Sequence, residues 1–298
     1  MNKKILVIGG TGFIGFNLLK KLNSLKYDLS SISTKLPLKE KKIKGVNYIY
    51  LDIGERKDFI KLNKFKFGIV INLGGYIDHS KVKKTFKSHF EGTKNLVDYF
   101  NGKDLELFIQ IGSSLEYGDI TSPQKEYSKC KPKGNYGLAK YKASKYLITS
   151  KDLKFCFLIL RLYQIYGPYQ DTSRLIPHAI TSCINKKNFN CTNGKQLRDF
   201  LFVDDIVNLF IKILKSKKLI SDMYNVGSGK PVSVKYIIKK IQRKIKKGQP
   251  LFGKIKMRKD EIDKLYPDIK KIKSQFNWRP KTTIDKGLAK TIKYYEKK

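Results

Sequence analysis

Tyr136 and Lys140 stand four residues apart in Tyr136-Gly137-Leu138-Ala139-Lys140, a spacing that puts a phenol and an ammonium on one face of a helix. A cation beside a phenol favours the phenolate, brings the tyrosine toward working pH and makes it a usable general acid or base. Upstream, Ile111-Gly112-Ser113-Ser114 reads as the end of a strand, and its hydroxyls are candidates to hold the same substrate oxygen as Tyr136. In a chain with 18 tyrosines such a pair means little alone. Its weight comes from what precedes it.

Near the N-terminus, Ile5-Leu6-Val7-Ile8 runs directly into Gly9-Gly10-Thr11-Gly12-Phe13-Ile14-Gly15. Gly10, Gly12 and Gly15 have the GxGxxG spacing, and Gly9, Gly12 and Gly15 a GxxGxxG one. The first glycines permit a tight turn, Gly12 lets backbone approach a pyrophosphate, and Gly15 lets helix and strand pack closely. Phe13 and Ile14 open the helix, whose unpaired N–H groups and positive dipole end suit that anion. The expected ligand is a dinucleotide. An acid ending the second strand would bind the ribose hydroxyls of NAD. Here that strand ends Ser31-Ile32-Ser33-Thr34-Lys35, without a carboxylate. The Ser33 hydroxyl and the Lys35 ammonium suit a 2′-phosphate, which favours NADP over NAD. Asp52, followed by Ile53, ends the third strand, where it is a candidate to meet the adenine.

These residues need a scaffold, and the alternation of short apolar runs with longer amphipathic ones supplies it. Strands are expected at 4–8, 29–33, 46–51, 68–73, 107–111 and 156–162, with helices at 13–25, 90–100 and 135–149. Such a pattern implies an α/β protein, a Rossmann-type doubly wound parallel sheet covered on both faces. Beyond Gly167 the pattern changes: a helix at 175–185, a strand at 200–203, a helix at 204–215, and then lysine-rich helices to the C-terminus. The reading is a dinucleotide-binding domain at 1–165, to which the chain returns at about 196–226, and a smaller substrate-binding lobe formed by 166–195 and 227–298.

With 298 residues and 41% hydrophobic content, the chain can bury a full core. Its formal charge of +38 invites a nucleic-acid or membrane reading. Yet of 63 basic residues only seven are arginine, and the lysines are spread over the whole chain. Nucleic-acid readers use arginine forks gathered on one face. We therefore expect no nucleic-acid partner, although the field would assist an anionic substrate. No apolar run reaches the roughly 18 residues of a membrane helix, and the stretch 5–8 is too short for a signal peptide. A cytoplasmic location and no membrane partner are expected. Cys130, Cys156, Cys183 and Cys191 form no CxxC pair and read as reduced thiols. No metal-ligand spacing appears, so no metal is expected.

Taken as an ordered set, these segments resemble the extended short-chain dehydrogenase/reductase family, in its nucleotide-sugar epimerase, dehydratase and reductase branch. The resemblance runs nearly end to end: GGTGFIG at 9–15, Leu73-Gly74-Gly75, SSLEYG at 113–118, YGLAK at 136–140, RDFLFVDD at 198–205 and YNVGSG at 224–229. It implies that Tyr136 is the acid/base, that Lys140 binds the nicotinamide ribose while tuning Tyr136, and that Ser113 is the catalytic serine. It maps cofactor contacts to Gly9, Gly12, Gly15, Asp52 and Leu73, diphosphate-gripping arginines to Arg198 and Arg258, and a substrate contact to Gln164, with Ser114 beside the catalytic serine. A homodimer through the helices near 90–100 and 135–150 is implied as well.

The departures from the family pattern narrow the chemistry. Sugar 4,6-dehydratases follow the serine or threonine with an acid, whereas here Ser114 and Leu115 follow and Glu116 falls late in the motif. GDP-fucose synthases carry a cysteine where Leu115 stands, which disfavours 3,5-epimerisation. His89 takes a position where asparagine is frequent. His178 is a possible substrate contact that reads more simply as a structural residue, and His79 has no assigned part. Reduction of a 4-keto-6-deoxy nucleotide sugar with NADP is the expected function. A 4-epimerase with bound NAD is the alternative, and a non-catalytic binding protein of the same fold the remote one.

Overall fold

The computed structural model describes residues 3–78, 80–257 and 261–298. In chain order its first elements are β1 (Ile5–Ile8), α1 (Phe13–Ser24), β2 (Leu29–Ser33), β3 (Val46–Tyr50), β4 (Ile69–Asn72), α2 (Val82–Phe86), α3 (Gly92–Phe100), β5 (Leu107–Ser113), α4 (Gly134–Thr149) and β6 (Cys156–Leu162). There follow β7 (Gln164–Tyr166), α5 (Leu175–Ile184), β8 (Asn188–Cys191), β9 (Leu197–Phe202), α6 (Val203–Leu214) and β10 (Asp222–Val226). Last come β11 (Pro231–Ser233), α7 (Val234–Ile245), β12 (Gln249–Phe252), β13 (Lys264–Leu265), α8 (Lys270–Phe276) and α9 (Ile284–Tyr295). Two compact units result, one of Met1–Asp119, Glu126–Leu162 and Phe210–Tyr224, the other of Ile120–Lys125, Tyr163–Leu209 and Asn225–Lys298.

The fold of the first unit is Rossmann-type. A seven-stranded sheet has the order β10-β6-β5-β4-β1-β2-β3, and β1 pairs in parallel with both β2 and β4. The chain steps from β1 to β2 and β3 on one side and then crosses back to β4 on the other, so the strand order reverses at β1 and the crevice for a ligand opens at the carboxyl end of that strand. The runs Ile5–Ile8 and Leu107–Ser113 are buried along their whole length, as helices on both faces require. On α1, Phe16, Leu18, Leu19 and Leu22 supply the buried face. Between α2 and α3 the helix widens into a π turn at Lys87–Glu91, a bulge of the kind that re-aims side chains at functional sites. The expectation of one uninterrupted helix over 90–100 did not anticipate it.

The second unit is built on β9. This strand runs antiparallel to β11 and parallel to β7 and β13, and a separate parallel pair joins β8 to β12. Two buried acids explain the motifs at 198–205 and 224–229. Asp199, fully buried, accepts hydrogen bonds from the N–H groups of Ser228 (2.5 Å) and Gly229 (2.6 Å), and Gly229 has a φ of +71°. The Asp205 carboxylate accepts from the N–H groups of Lys281 (2.9 Å) and Thr282 (3.0 Å), and its carbonyl accepts from the Trp278 indole (3.1 Å). Each carboxylate thus ties a distant loop to β9 or α6, and the loop N–H groups satisfy an acid that is itself buried. No helix among the described residues is long and apolar enough to cross a membrane.

Candidate active site

The glycine loop is shaped by atoms it lacks. Gly9 turns the chain at φ +74°, a conformation that favours glycine. A Cβ on Gly15 would press on the Gly9 carbonyl and lie 2.7 Å from the Gly10 Cα, so only glycine lets α1 start this close to β1. Gly12 is the N-cap of α1 and provides no side-chain cap. The N–H groups of Phe13 and Ile14 are thus among the orphan donors of the first turn, aimed where a phosphate would bind. The Leu73 backbone completes this edge: its N–H donates to the Ile8 carbonyl at 3.0 Å, and its own carbonyl lies where a Gly9 Cβ would touch it. The donor set and the cleared space fit the pyrophosphate of a dinucleotide.

The adenosine end is set by two strand termini. At the end of β2, Thr11 Oγ1 donates to Ser33 Oγ (3.0 Å), and Ser33 Oγ donates to the Ile32 carbonyl (2.7 Å). Lys35 is exposed two residues later. After β3, Asp52 Oδ1 accepts from the Gly54 N–H (2.8 Å), and the Asp52 N–H donates to Asp58 Oδ2 (3.1 Å). Asp52 therefore rigidifies its own turn. Ile53 is buried, and its carbonyl accepts from Asn95 Nδ2 (2.9 Å).

At the carboxyl end of β5, Ser113 caps a short 3₁₀ turn of Ser114, Leu115 and Glu116. Its Oγ accepts from the Leu115 N–H at 3.2 Å, which leaves the hydroxyl hydrogen to be donated elsewhere. Ser114 is buried at the start of this turn. Helix α4 packs against both β5 and the turn, and Gly137 makes this possible, because a Cβ there would lie 2.6 Å from the Leu115 carbonyl oxygen. Tyr136 and Lys140 are carried in on this helix. Lys140 is only 3% exposed, and its ammonium donates to the Ile111 carbonyl (2.8 Å). Burial draws its pKa down from 10.5 to about 8, against the opposing attraction of Glu116. Ser113, Tyr136 and Lys140 are thus assembled by one strand end and one helix of the first unit.

Several residues at this edge carried a weaker signal in the sequence. Asn72 and Gln110 are neighbours in register on β4 and β5. Asn72 Nδ2 donates to Gln110 Oε1 (2.8 Å), Gln110 Nε2 donates to the same Ile111 carbonyl that Lys140 grips (3.1 Å), and the Gly74 N–H donates to Asn72 Oδ1 (3.1 Å). A polar residue closing one apolar run and another interrupting the next was the available clue. His89, on the π turn, is buried with its ring edge-on to that of Tyr136, centroids 5.0 Å apart. Its Nε2 lies 3.1 Å from the Tyr76 carbonyl; a carbonyl only accepts, so Nε2 carries the hydrogen. The imidazole occupies space that a side chain on Gly75 would need.

Glu116 faces the core. It is 0% exposed and ion-paired with Arg161 on β6, itself 2% exposed. Its carboxylate is held in that ion pair, out of contact with solvent.

The remaining predicted residues belong to the second unit. Gln164 is exposed at the start of β7. Arg198 is mostly buried on β9, ion-paired with Glu261 and donating to the Leu197 carbonyl (2.8 Å). His178 stands on α5, edge-on to Phe189. Arg258 and His79 lie outside the described residues. Among the described residues no group of three or more histidines, cysteines, aspartates or glutamates is placed to hold a metal ion.

Known proteins are similar to this chain. A family model for the NAD dependent epimerase/dehydratase family matches residues 5–227. CDP-abequose synthase of Salmonella muenchen is 27% identical over 99% of both chains. The dTDP-4-dehydro-6-deoxyglucose reductase of Escherichia coli is 26% identical over 97% of this chain and 96% of its own. Among solved structures, a UDP-glucose 4-epimerase of Thermotoga maritima with UDP-glucose superimposes with a TM-score of 0.92 at 22% identity, covering 99% of each chain. That last likeness is one of fold.

Proposed function

The chain belongs to the NAD dependent epimerase/dehydratase family, and from that premise we propose that it reduces the C4 ketone of a 4-keto-6-deoxy sugar nucleotide with NADPH. The observation that carries the reading is the end of β2, where Thr11, Ser33 and Lys35 offer hydroxyls and an ammonium in place of a carboxylate. This chemistry suits a 2′-phosphate and a cofactor that is exchanged at each turnover. Two further points support it. A relative alignable over nearly all of both chains carries the name of a 4-dehydro-6-deoxy sugar nucleotide reductase. The acid nearest the catalytic serine is sealed in an ion pair rather than offered for dehydration.

Gly9, Gly12 and Gly15, with the N–H groups of Phe13 and Ile14, would hold the pyrophosphate, Asp52 and Ile53 the adenine, and Leu73 the edge of the cleft. Bound there, the reduced nicotinamide supplies hydride to the sugar ketone. Ser113 donates a hydrogen bond to the ketone oxygen, and Tyr136 gives it the phenolic proton as negative charge develops. The ammonium of Lys140 stabilises the phenolate that remains. Ser114, Gln164, Arg198 and Arg258 are assigned to the substrate, the arginines to its diphosphate; Arg198 must then exchange its bond with Glu261 for one with phosphate.

The test is direct. The purified protein is mixed with NADPH and a 4-keto-6-deoxy sugar nucleotide, and absorbance of the reduced cofactor is followed. Stoichiometric loss supports the reductase. NAD released only on denaturation, with no net consumption and interconversion of UDP-glucose and UDP-galactose, replaces it with a 4-epimerase.

A further inference from the structure

Glu116 and Arg161 form a buried ion pair at the back of the catalytic turn. A buried pair is a poor source of stability, because desolvation of the two charges offsets their attraction and apolar replacements are often as good. Packing alone therefore gives no reason for charges here. The geometry gives one. Glu116 divides its two oxygens: Oε1 accepts from the Ser113 N–H at 2.7 Å, and Oε2 accepts from Arg161 Nε at 2.9 Å. The Arg161 guanidinium is itself anchored over the Tyr117 ring, 4.4 Å from its centroid. Room for the pair is reserved by Gly112, where a Cβ would lie 2.6 Å from Glu116 Oε1 and 3.0 Å from Arg161 Cγ.

We propose that Glu116, locked by Arg161, is a positioning residue that fixes the backbone of Ser113 and supplies the counter-charge that keeps Lys140 an ammonium. The proposal rests on Ser113 and Lys140 having the roles given above. The carboxylate holds Ser113 by its N–H while the Leu115 N–H holds its Oγ, so both backbone and hydroxyl are fixed before any ligand arrives. Lys140 donates to the Ile111 carbonyl and Glu116 accepts from the Ser113 N–H two residues further along β5, so both charges are held at one strand end; burial there works against the ammonium and Glu116 works for it. The other titratable groups nearby are accounted for. Tyr117 and Cys130 interact with Arg161, and burial pushes the Cys130 thiol up. Tyr136 shares α4 with Lys140, and His89 faces the Tyr136 ring from the π turn.

Glu116→Gln separates the two parts, because the amide oxygen can still accept from the Ser113 N–H but the anion is gone. The readouts are kcat and the NADPH dissociation constant, the latter from cofactor fluorescence, between about pH 6 and pH 9. Wild type should lose both activity and affinity as the pH rises through about 8, where Lys140 is neutralised. In Glu116→Gln that alkaline limb should move down by about one pH unit. Because the single variant leaves Arg161 buried without its partner, the double variant Glu116→Gln, Arg161→Met is measured beside it. It should regain thermal stability, with the limb still below that of wild type but displaced less than in the single variant. Limbs that coincide with wild type in both variants, with activity merely lowered at every pH, would overturn the proposal. The affinity readout needs no sugar substrate, so an enzyme that binds NADPH with the displaced limb but leaves the ketone untouched would refute the proposed reaction and not this role.

Discussion

The two ends of the candidate site in the first unit are made in opposite ways. The glycine loop is a steric site: Gly9, Gly12 and Gly15 leave volume empty, and backbone N–H groups are the donors offered to the proposed cofactor. The catalytic end is an electrostatic site: Lys140, Glu116 and Arg161 are charges held out of water, each compensated by named partners. A steric site is local, its parts lying within one short stretch of chain. An electrostatic site is assembled from β5, α4 and β6. Substitutions should therefore fail differently at the two ends, one set through binding and fold, the other through chemistry and pH.

The largest effect is expected at the catalytic end. Tyr136→Phe removes only the proton that the reaction needs and should lower kcat by roughly a thousandfold, with NADPH affinity within about twofold by fluorescence titration. A variant with wild-type turnover would remove the acid from the mechanism.

Lys140→Met sharpens the contrast, because it should gain stability while losing activity. The folded-state pKa of about 8 lies below the ordinary 10.5, so below about pH 8 the folded protein carries a buried ammonium that the unfolded chain would rather solvate. Between these values the unfolded chain binds the extra proton, and wild-type stability rises with pH. Chemical denaturation at neutral pH should find Lys140→Met more stable by about 3 kcal/mol, the gap closing as the pH approaches 10.5. An unchanged or lower stability at neutral pH would contradict the burial argument.

At the steric end, Gly15→Ala drives a Cβ into the Gly9 carbonyl, backbone that has nowhere to move. The expected outcome is a loss of about 1–3 kcal/mol in stability and a drop in NADPH affinity of at least about tenfold, with residual kcat at saturating cofactor little changed. The smallest effect is at Lys35. Lys35→Ala should weaken NADPH by roughly fivefold, as expected for one exposed charge pair, and leave NADH unchanged; equal weakening of both would return the preference to NAD.

The same contrast explains what could be read from sequence. The glycine loop and the Tyr136–Lys140 spacing were legible because each is a short stretch whose period is fixed by backbone geometry. The doubly wound parallel sheet followed from the βα alternation. Glu116 was visible only as an acid late in its motif, because its partner lies 45 residues away on β6 and no local pattern joins them. Arg161 is one charge inside Cys156–Leu162, with no local pattern to mark it. Asn72 and Gln110 meet by the register of two strands, and His89 reaches Tyr136 through a π turn that hydrophobic periodicity does not mark. In the second unit, Asp199 and Asp205 belonged to a recognisable motif, yet the loops they tie to β9 and α6 lie about 30 and 76 residues away, beyond any local pattern.

A hydride passed from cofactor to sugar beside Tyr136 would leave its mark on the product. The most direct measurement uses NADPH carrying deuterium at the transferring position of its nicotinamide, with a 4-keto-6-deoxy sugar nucleotide and analysis of the product by mass spectrometry. The account predicts one deuterium per product molecule, bonded to C4, and none when Tyr136→Phe replaces wild type on the same timescale. Sugar that turns over without gaining the label would contradict it.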